Sequence, residues 1–260
     1  MAKPVFGTKE WATSNVNILY GCQHDCKYCY AKAMFPRQGR KIEDWKNPTL
    51  RKKKGYGKRK GRIMFPTTHD LHPDNLDDVL VTLEKLLKPG NDLLIVSKPH
   101  FECIRAICDK CSPYKDHILF RFTIGSADNK RLSLWEPNAP TFEERLQCLK
   151  HAYEGGYSTS VSCEPMLDES ITAVINMARL YVTDAIWLGK ANFLMERLKM
   201  NGYGNDKKMM DIAAMLLISQ SDEHIKELYE LYKTDPIIKW KESIKKVVGI
   251  EVPTELGLDI

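Results

Sequence analysis

The sequence predicts an α/β protein, an open six-stranded parallel (β/α)6 partial barrel with a helical C-terminal extension. Six short apolar runs alternate with segments of helical periodicity, which is typical of parallel βαβ units joined by right-handed crossovers. A closed eight-stranded barrel would need two more strands, and the charged tail supplies none. We therefore expect a barrel core over residues 1–195, with an insertion at 36–61, and a helical extension over 196–260.

The first elements frame a cysteine-rich loop. An N-terminal arm precedes the apolar run 16–20, which predicts the first strand, and a short helix is expected to start near Ala31 and stop before Pro36. The second strand is expected at 62–65, and it leads into a polar corner at 66–70.

The later elements follow the same alternation. Leucines at helical spacing between 76 and 87 predict a helix that Pro89 and Gly90 end. Thr141 and Glu144 have the spacing of a capping box, which predicts the start of another helix. Strands are expected to begin near residues 92, 117, 158 and 184, and further helices over 101–110, 171–178, 207–219, 222–232 and 236–248.

The fourth predicted strand, 117–124, carries a charged residue in an apolar setting. Leu119, Arg121 and Thr123 share one of its faces, and Phe120 and Phe122 share the other. A buried arginine is costly without an anionic partner, so Arg121 is a candidate contact for a carboxylate of a substrate or cofactor. The alternative is that this face is exposed to solvent.

Composition excludes several classes of protein. The chain has 260 residues, of which 43% are hydrophobic, enough for one substantial core, and its net charge of +5 is modest. No apolar run approaches the length of a membrane span, and residues 1–13 lack the apolar core of a signal peptide. We therefore expect a cytoplasmic protein without membrane contact, whose eight cysteines are reduced thiols or metal ligands rather than disulfides.

Cys22, Cys26 and Cys29 have the spacing C-x3-C-x2-C directly after the first predicted strand. Soft thiolates select iron–sulfur clusters, zinc or copper(I). A four-iron cluster usually takes four cysteines, so three would leave one iron without a protein ligand. One alternative is a zinc site with His24 as the fourth ligand, although the spacing differs from the paired C-x2-C of common zinc modules. Three unrelated cysteines are the other alternative.

This motif resembles that of the radical SAM superfamily, and the aromatic residues Tyr28 and Tyr30 beside Cys29 resemble its spore photoproduct lyase-like branch. The resemblance implies the open six-stranded barrel and a [4Fe–4S] cluster on the three cysteines. It also implies that the fourth iron chelates S-adenosylmethionine (SAM), whose reductive cleavage yields a 5′-deoxyadenosyl radical. An electron donor such as flavodoxin or ferredoxin would then be a partner.

The resemblance extends over roughly residues 14–195. It includes the corner Thr67-Thr68-His69-Asp70, Lys98 after the third strand, the stretch 136–140 ahead of a helix with Arg145, and the segments 156–157 and 164–165 around the fifth strand. It implies that Tyr28 and Lys98 contact SAM, and we expect Tyr30, His69 and Thr123 to contact it as well.

The sequence departs from the family at the hydrogen donor. Spore photoproduct lyase carries a cysteine after the second strand, where this chain has Pro66, Thr67 and Thr68. A hydroxyl releases a hydrogen atom far less readily than a thiol, so thymine-dimer repair by that mechanism is not expected. Cys163, at the end of the fifth predicted strand, is a candidate hydrogen donor or substrate contact; alternatively it is a small buried residue.

Two other patterns have competing interpretations. Cys103, Cys108 and Cys111 have a spacing that suits a second cluster or zinc, but two of them lie on a helix expected to pack outside the barrel, so ordinary cysteines are the better interpretation. The run 51–62 carries eight basic residues in twelve positions and includes Tyr56. It suits a phosphate backbone with a base stacked on the ring, and the alternative is a solvated loop.

The sequence thus favours a radical SAM enzyme that acts on a nucleic acid, nucleotide or other polyanionic substrate. One alternative is the same chemistry on a peptide or small metabolite. The other alternative is a non-catalytic nucleic-acid-binding protein whose fold is stabilised by a bound metal. A metal analysis that found one equivalent of zinc and no iron would support this alternative.

Overall fold

The computed structural model describes residues 4–52 and 55–258 and is built on an open sheet of seven parallel strands with the spatial order β1-β4-β5-β6-β7-β8-β9. Strands β2 and β3 pair antiparallel beside it. The strands, in chain order, are β1 (Ser14–Asn15), β2 (Leu19–Tyr20), β3 (Thr49–Leu50), β4 (Ile63–Phe65), β5 (Leu93–Ser97), β6 (Ile118–Thr123), β7 (Ser158–Cys163), β8 (Ile186–Leu188) and β9 (Ile238–Trp240).

Helices connect successive strands of the sheet and continue into the C-terminal region. Several begin at a polar residue whose side chain accepts a backbone hydrogen bond; for α5 this is Thr141, which accepts from the Glu144 N–H at 3.3 Å. The helices are α1 (Tyr30–Ala33), α2 (Leu76–Leu87), α3 (Phe101–Cys111), α4 (Asn129–Trp135), α5 (Phe142–Glu154), α6 (Thr172–Ala178), α7 (Leu194–Leu198), α8 (Lys207–Ile218), α9 (Asp222–Tyr232) and α10 (Glu242–Val248).

The two faces of the sheet have different neighbours because successive side chains of a strand point to opposite sides. On β6, Phe120 and Phe122 belong to the large core shared with the helices, whereas Leu119 belongs to a smaller apolar cluster with Trp11 and Trp187. Trp11 comes from the N-terminal arm. The arm therefore covers part of the face that carries Leu119, which we call the inner face.

The predicted fold class is confirmed, but the sheet has one strand more than expected. Residues 236–248 were expected to form a helix, and instead β9 pairs in parallel with β8 before α10 begins. Buried Ile238 and Trp240 flank half-buried Lys239, which is the alternation of a strand. Three residues are too few for this alternation to stand out against the helical charge pattern around them.

The first strand was also misplaced. The apolar run 16–20 was expected to join the sheet, but the parallel strand β1 lies two residues earlier, and β2 turns away to pair with β3. The insertion that carries β3 packs through Trp45, which is buried against Phe35. Part of the predicted insertion therefore packs against the loop that carries the three cysteines.

The N-terminal arm connects the two edges of the sheet. The Thr13 N–H donates to the Arg62 carbonyl at one edge, and Lys241, just after β9 at the other, donates to the Gly7 carbonyl at 2.9 Å. Lys241 is fully buried and also pairs with Glu10 at 2.6 Å. Among the described residues, no helix has both the length and the apolar character needed to cross a membrane.

Candidate active site

A cavity of about 450 Å³ opens where the parallel strands of the sheet end. Cys22, Cys26 and Cys29 all line it. Ligands of open α/β sheets bind at the carboxyl ends of strands, and the corners after β4, β5, β6 and β7 contribute to this cavity. The expected cofactor contacts also line it, namely Tyr28, Tyr30, His69, Lys98 and Thr123.

The cysteine loop is held in shape by its own backbone. Gly21 has a φ of +94°, and a Cβ atom there would lie 2.5 Å from the Trp45 carbonyl oxygen, so only glycine fits. The Cys22 N–H donates to that carbonyl at 2.9 Å. Cys29 precedes α1, and its sulfur accepts from the Lys32 N–H at 3.4 Å. The loop thus enters the cavity between a glycine turn and a capped helix.

The chemistry of the donor set fits an iron–sulfur cluster. All three thiols are free, and burial raises the pKa of each one, that of Cys22 to about 12. Buried thiolates need a cation to compensate their charge, and a metal bound by thiolates supplies it.

A single zinc ion fits less well. Within residues 4–52 and 55–258, no group of three or more His, Cys, Asp or Glu side chains is arranged to hold a metal ion. His24, the expected fourth ligand, instead has its Nε2 atom 3.0 Å from His100 Nε2 and its Nδ1 atom 3.2 Å from Asp70. In a four-iron cluster each cysteine binds a different iron, so the three sulfurs need not converge on one point.

Asp70 joins the cysteine loop to the ends of β4 and β5. It accepts hydrogen bonds from the Ser97 hydroxyl and from the Lys98 N–H at 3.1 Å. Burial alone would raise the pKa of Asp70, but the partner His24, the Lys98 ammonium and the Ser97 hydrogen bond hold it well below its usual range. The sequence drew attention to the corner that contains Asp70 but not to its role in joining these elements.

Lys98 projects into the cavity as a cation. Its Nζ atom lies 3.9 Å from Asp70 Oδ2. Burial alone would lower the pKa of Lys98, but the neighbouring Cys26 sulfur and the carboxylates of Glu136 and Asp70 raise it above its usual range. Lys98 is therefore charged at neutral pH.

Tyr28 is oriented by a buried ion pair between Glu136 and Arg145, which the sequence does not predict. Its hydroxyl donates to Glu136, and Glu136 pairs with Arg145 Nη2 at 2.6 Å. Arg145 also donates to the Thr123 carbonyl at 3.2 Å, which connects the pair to the end of β6. Burial alone would raise the pKa of Glu136, but Arg145 and Lys98 lower it. Glu136 and Arg145 thus fix one wall of the cavity.

His69 links the polar corner to the residues before the cysteine loop. Its Nε2 atom accepts from the Ile18 N–H at 3.1 Å, so its Nδ1 atom carries the proton and donates to the Asp70 carbonyl at 3.2 Å. Burial lowers its pKa from 6.5 to about 4. The imidazole is therefore neutral at neutral pH, and both its nitrogens are engaged by backbone.

This pKa shift predicts a loss of stability in mild acid. The neutral imidazole is favoured in the folded state, so its contribution is complete above about pH 6.5 and is lost as pH falls towards about 4. Between about pH 7 and pH 5 the free energy of unfolding should fall by about 2 kcal/mol through His69. Urea denaturation at both pH values should show that His69→Gln removes this pH-dependent loss of the free energy of unfolding. The exposed control His117→Gln should leave the loss unchanged. An equal pH dependence in wild type and His69→Gln would contradict the assignment.

The structure does not bring Arg121 or Cys163 to the cavity. Arg121 is fully buried on the inner face of β6, where its Nη2 atom lies 2.9 Å from Asp184 and its Nε donates to the Ser160 hydroxyl. The alternative of a solvent-exposed face is thereby excluded, and the anionic partner comes from the protein itself. Cys163 lies in the core shared with the helices, as do Cys103, Cys108 and Cys111.

The second half of the basic run lies beside the amino ends of β4 and β5, at the opposite end of these strands from the cavity. Lys53 and Lys54 lie outside the described residues. Tyr56 is partly buried against the core, and the Arg59 N–H donates to the Asn91 side chain at 2.8 Å. The ring of Tyr56 is thus packed against the protein rather than free to stack on a base.

The chain is similar to known proteins in sequence and in structure. The model of the Radical SAM superfamily matches residues 16–180. An uncharacterized protein, ORF301, of Acidianus two-tailed virus is 29% identical over 60% of this chain and 56% of its own length. The uncharacterized protein MJ0683 of Methanocaldococcus jannaschii is 27% identical over 65% of this chain and 66% of its own. The chain thus spans less than two thirds of either relative.

Solved structures share the fold at low sequence identity. A spore photoproduct lyase variant with bound AdoMet and dinucleoside spore photoproduct has a TM-score of 0.53 at 14% identity, over 80% of this chain and 64% of that protein. Streptococcus suis SuiB bound to S-adenosylmethionine has a TM-score of 0.55 at 10% identity, over 94% of this chain and 54% of that protein. SuiB also has a structure with the precursor peptide SuiA.

The matched residues contain the cysteine loop and the strand ends that build the cavity. The family match covers more than half of the chain, and it includes all three cysteines that line the cavity. The chain therefore belongs to the radical SAM superfamily.

Proposed function

We propose that Cys22, Cys26 and Cys29 hold a [4Fe–4S] cluster and that the enzyme binds SAM in the cavity beside it. The observation that carries this proposal is the presence of three free thiols on one cavity wall at the carboxyl ends of parallel strands. When bound, the cluster and SAM supply reductive cleavage of the sulfonium to a 5′-deoxyadenosyl radical. The electron would come from a one-electron donor such as flavodoxin or ferredoxin.

The chain's own residues would bind and orient the cofactor. The Lys98 ammonium suits a carboxylate, and the Thr123 hydroxyl, which also lines the cavity, suits a polar group of the same ligand. Tyr28 is held by Glu136, and its ring would shape the pocket beside the cluster. Because both nitrogens of His69 are engaged by backbone, we expect it to contact SAM through its ring face.

We propose that the substrate is polyanionic, and specifically a nucleic acid or nucleotide. Lys9, Lys190 and Arg197 line the same cavity as the cysteines. Arg197 lies over the ring of Tyr30, with 5.9 Å between its Cζ atom and the ring centroid. Cations beside exposed aromatic rings suit phosphates beside bases. Arg121 and Cys163 have no part in this proposal, because neither lines the cavity.

The basic run should contribute to binding of such a substrate. Changing Lys52, Lys53, Lys54 and Lys60 to glutamine removes cations that would release counterions from a nucleic acid. We expect weaker binding of single-stranded oligonucleotides and a log–log salt slope that is less steep by about 0.7 for each phosphate that the variant no longer neutralises. Unchanged affinity and slope over a range of salt concentrations would show that the run is a solvated loop.

Product analysis tests the substrate class directly. The anaerobically reconstituted and reduced enzyme would be incubated with SAM and with oligonucleotides, nucleotides or peptides, and the products identified by mass spectrometry. We expect modification of a nucleic acid or nucleotide. Modification of peptides alone would contradict the proposed substrate and support the same chemistry on a different substrate class.

A further inference from the structure

Two arginines lie against one aromatic ring just outside the cavity. The Cζ atoms of Arg40 and Arg51 lie 3.8 Å and 4.3 Å from the centroid of the Tyr20 ring. In the part of the chain that the structure describes, neither guanidinium forms an ion pair with a carboxylate. Tyr20 is separated from Cys22 by Gly21 alone, so this cluster of Arg40, Tyr20 and Arg51, the Arg–Tyr–Arg cluster, adjoins the cysteine loop.

The short β2–β3 pairing holds this cluster in place. Tyr20 pairs with Thr49, whose hydroxyl accepts from Arg40 Nη1 at 3.2 Å. Arg51 follows β3 directly; its Nε donates to the Leu19 carbonyl at 2.6 Å and its Nη2 to the Thr68 hydroxyl at 2.9 Å. Both guanidiniums are therefore positioned by the protein before any ligand binds.

Two cations held over one ring repel each other unless an anion joins them. Burial lowers the pKa of Arg51, and the charge of Arg40 acts in the same direction. Guanidinium groups offer several N–H donors in a planar arrangement that matches the oxygens of a phosphate.

The cluster is continuous with the mouth of the cavity. Thr68, which accepts from Arg51, lines the cavity together with Thr67. The Thr67 carbonyl accepts from the Tyr30 hydroxyl at 2.5 Å, and Arg197 lies over the Tyr30 ring. An arginine and a tyrosine thus occur together twice along one path, once outside the cavity and once at its wall.

We propose that the Arg–Tyr–Arg cluster is an anchoring subsite for a phosphodiester next to the nucleotide that enters the cavity. The substrate is then a single-stranded or locally unpaired nucleic-acid strand rather than a free nucleotide. This inference rests on the proposed function and names the substrate class of the same site. A polymer fits better than a nucleotide because the cluster lies outside the cavity that would hold the reacting group.

Binding experiments with the full chain test this subsite. The probes are labelled single-stranded DNA and RNA of about 12 nucleotides, a mononucleotide and an acidic peptide, measured by fluorescence anisotropy or competition. We expect Arg40→Gln and Tyr20→Leu each to weaken oligonucleotide binding by about tenfold and to leave mononucleotide binding unchanged. The matched control is Arg37→Gln, the same chemical change at an exposed position of the same segment.

The outcomes separate this inference from the proposed function. Equal weakening by Arg40→Gln and Arg37→Gln, equal affinity for oligonucleotide and mononucleotide, or preferential binding of the acidic peptide would each overturn the subsite. Circular dichroism of each variant checks its fold, and Arg40→Lys, which keeps the charge but loses the planar fork, should fall between wild type and Arg40→Gln. SAM cleavage by the wild-type enzyme is assayed separately. Its absence, with oligonucleotide binding intact, would remove the proposed function and leave the subsite.

Discussion

Replacing Cys22, Cys26 or Cys29 singly by alanine is expected to abolish SAM cleavage. Each thiolate would bind a different iron, and the neighbouring side chains cannot cover its loss, because His24 is engaged by His100 and Asp70. Loss of a residue that merely supports a metal ligand typically costs 10- to 100-fold, so loss of a ligand itself should exceed about 100-fold. The measurements are iron and sulfide content after anaerobic reconstitution and 5′-deoxyadenosine release after reduction.

The other cysteines provide the matched controls. Cys103, Cys108 and Cys111 are buried among apolar residues of α3, away from the cavity. Their alanine variants should keep the iron content and the cleavage rate of wild type, although poorer packing will lower their stability. If one of these variants lost iron as completely as Cys26→Ala, the assignment of the cluster to the cysteine loop would be contradicted.

Replacing Arg145 by methionine is expected to have the largest effect on stability. Arg145 and Glu136 are both fully buried and lie 2.6 Å apart, and Tyr28 donates to the same carboxylate. Removing one partner leaves an uncompensated buried charge, which typically costs about 3–5 kcal/mol. Urea denaturation of the protein without its cofactors should show a loss of that size.

Two further variants give this prediction its controls. Arg131→Met removes an arginine of similar size whose ion pairs with Asp168 and Glu169 are partly exposed, so it should cost no more than about 1 kcal/mol. Combining Arg145→Met with Glu136→Gln removes both charges and should recover part of the loss. A loss for Arg145→Met as small as that for Arg131→Met would show that the buried pair does not hold the cavity wall.

The sequence was informative where periodicity or spacing is local. The alternation of β6, the cysteine spacing and the corner 66–70 all depend on residues close together in the chain, and they led to the parallel sheet and to one wall of the cavity. Strand β9 was missed because three residues carry too little alternation to outweigh the charged helical pattern beside them.

The rest of the site depends on contacts between distant residues. Glu136 lies 108 residues after Tyr28, and Asp70 meets His24 from a different loop. The departure of β2 towards β3, which creates the Arg–Tyr–Arg cluster, also depends on a pairing across the insertion. Arg121 was expected to contact a carboxylate of a substrate or cofactor, whereas the structure pairs it with Asp184, which the sequence does not indicate.

Reductive cleavage of SAM tests the central proposal most directly. Wild-type protein, reconstituted anaerobically with iron and sulfide and then reduced with dithionite, should hold about four irons and four sulfides and release 5′-deoxyadenosine from SAM. The product is quantified by liquid chromatography and mass spectrometry. Protein that binds iron yet releases no 5′-deoxyadenosine on reduction, with or without nucleic acids present, would contradict the proposed chemistry of this site.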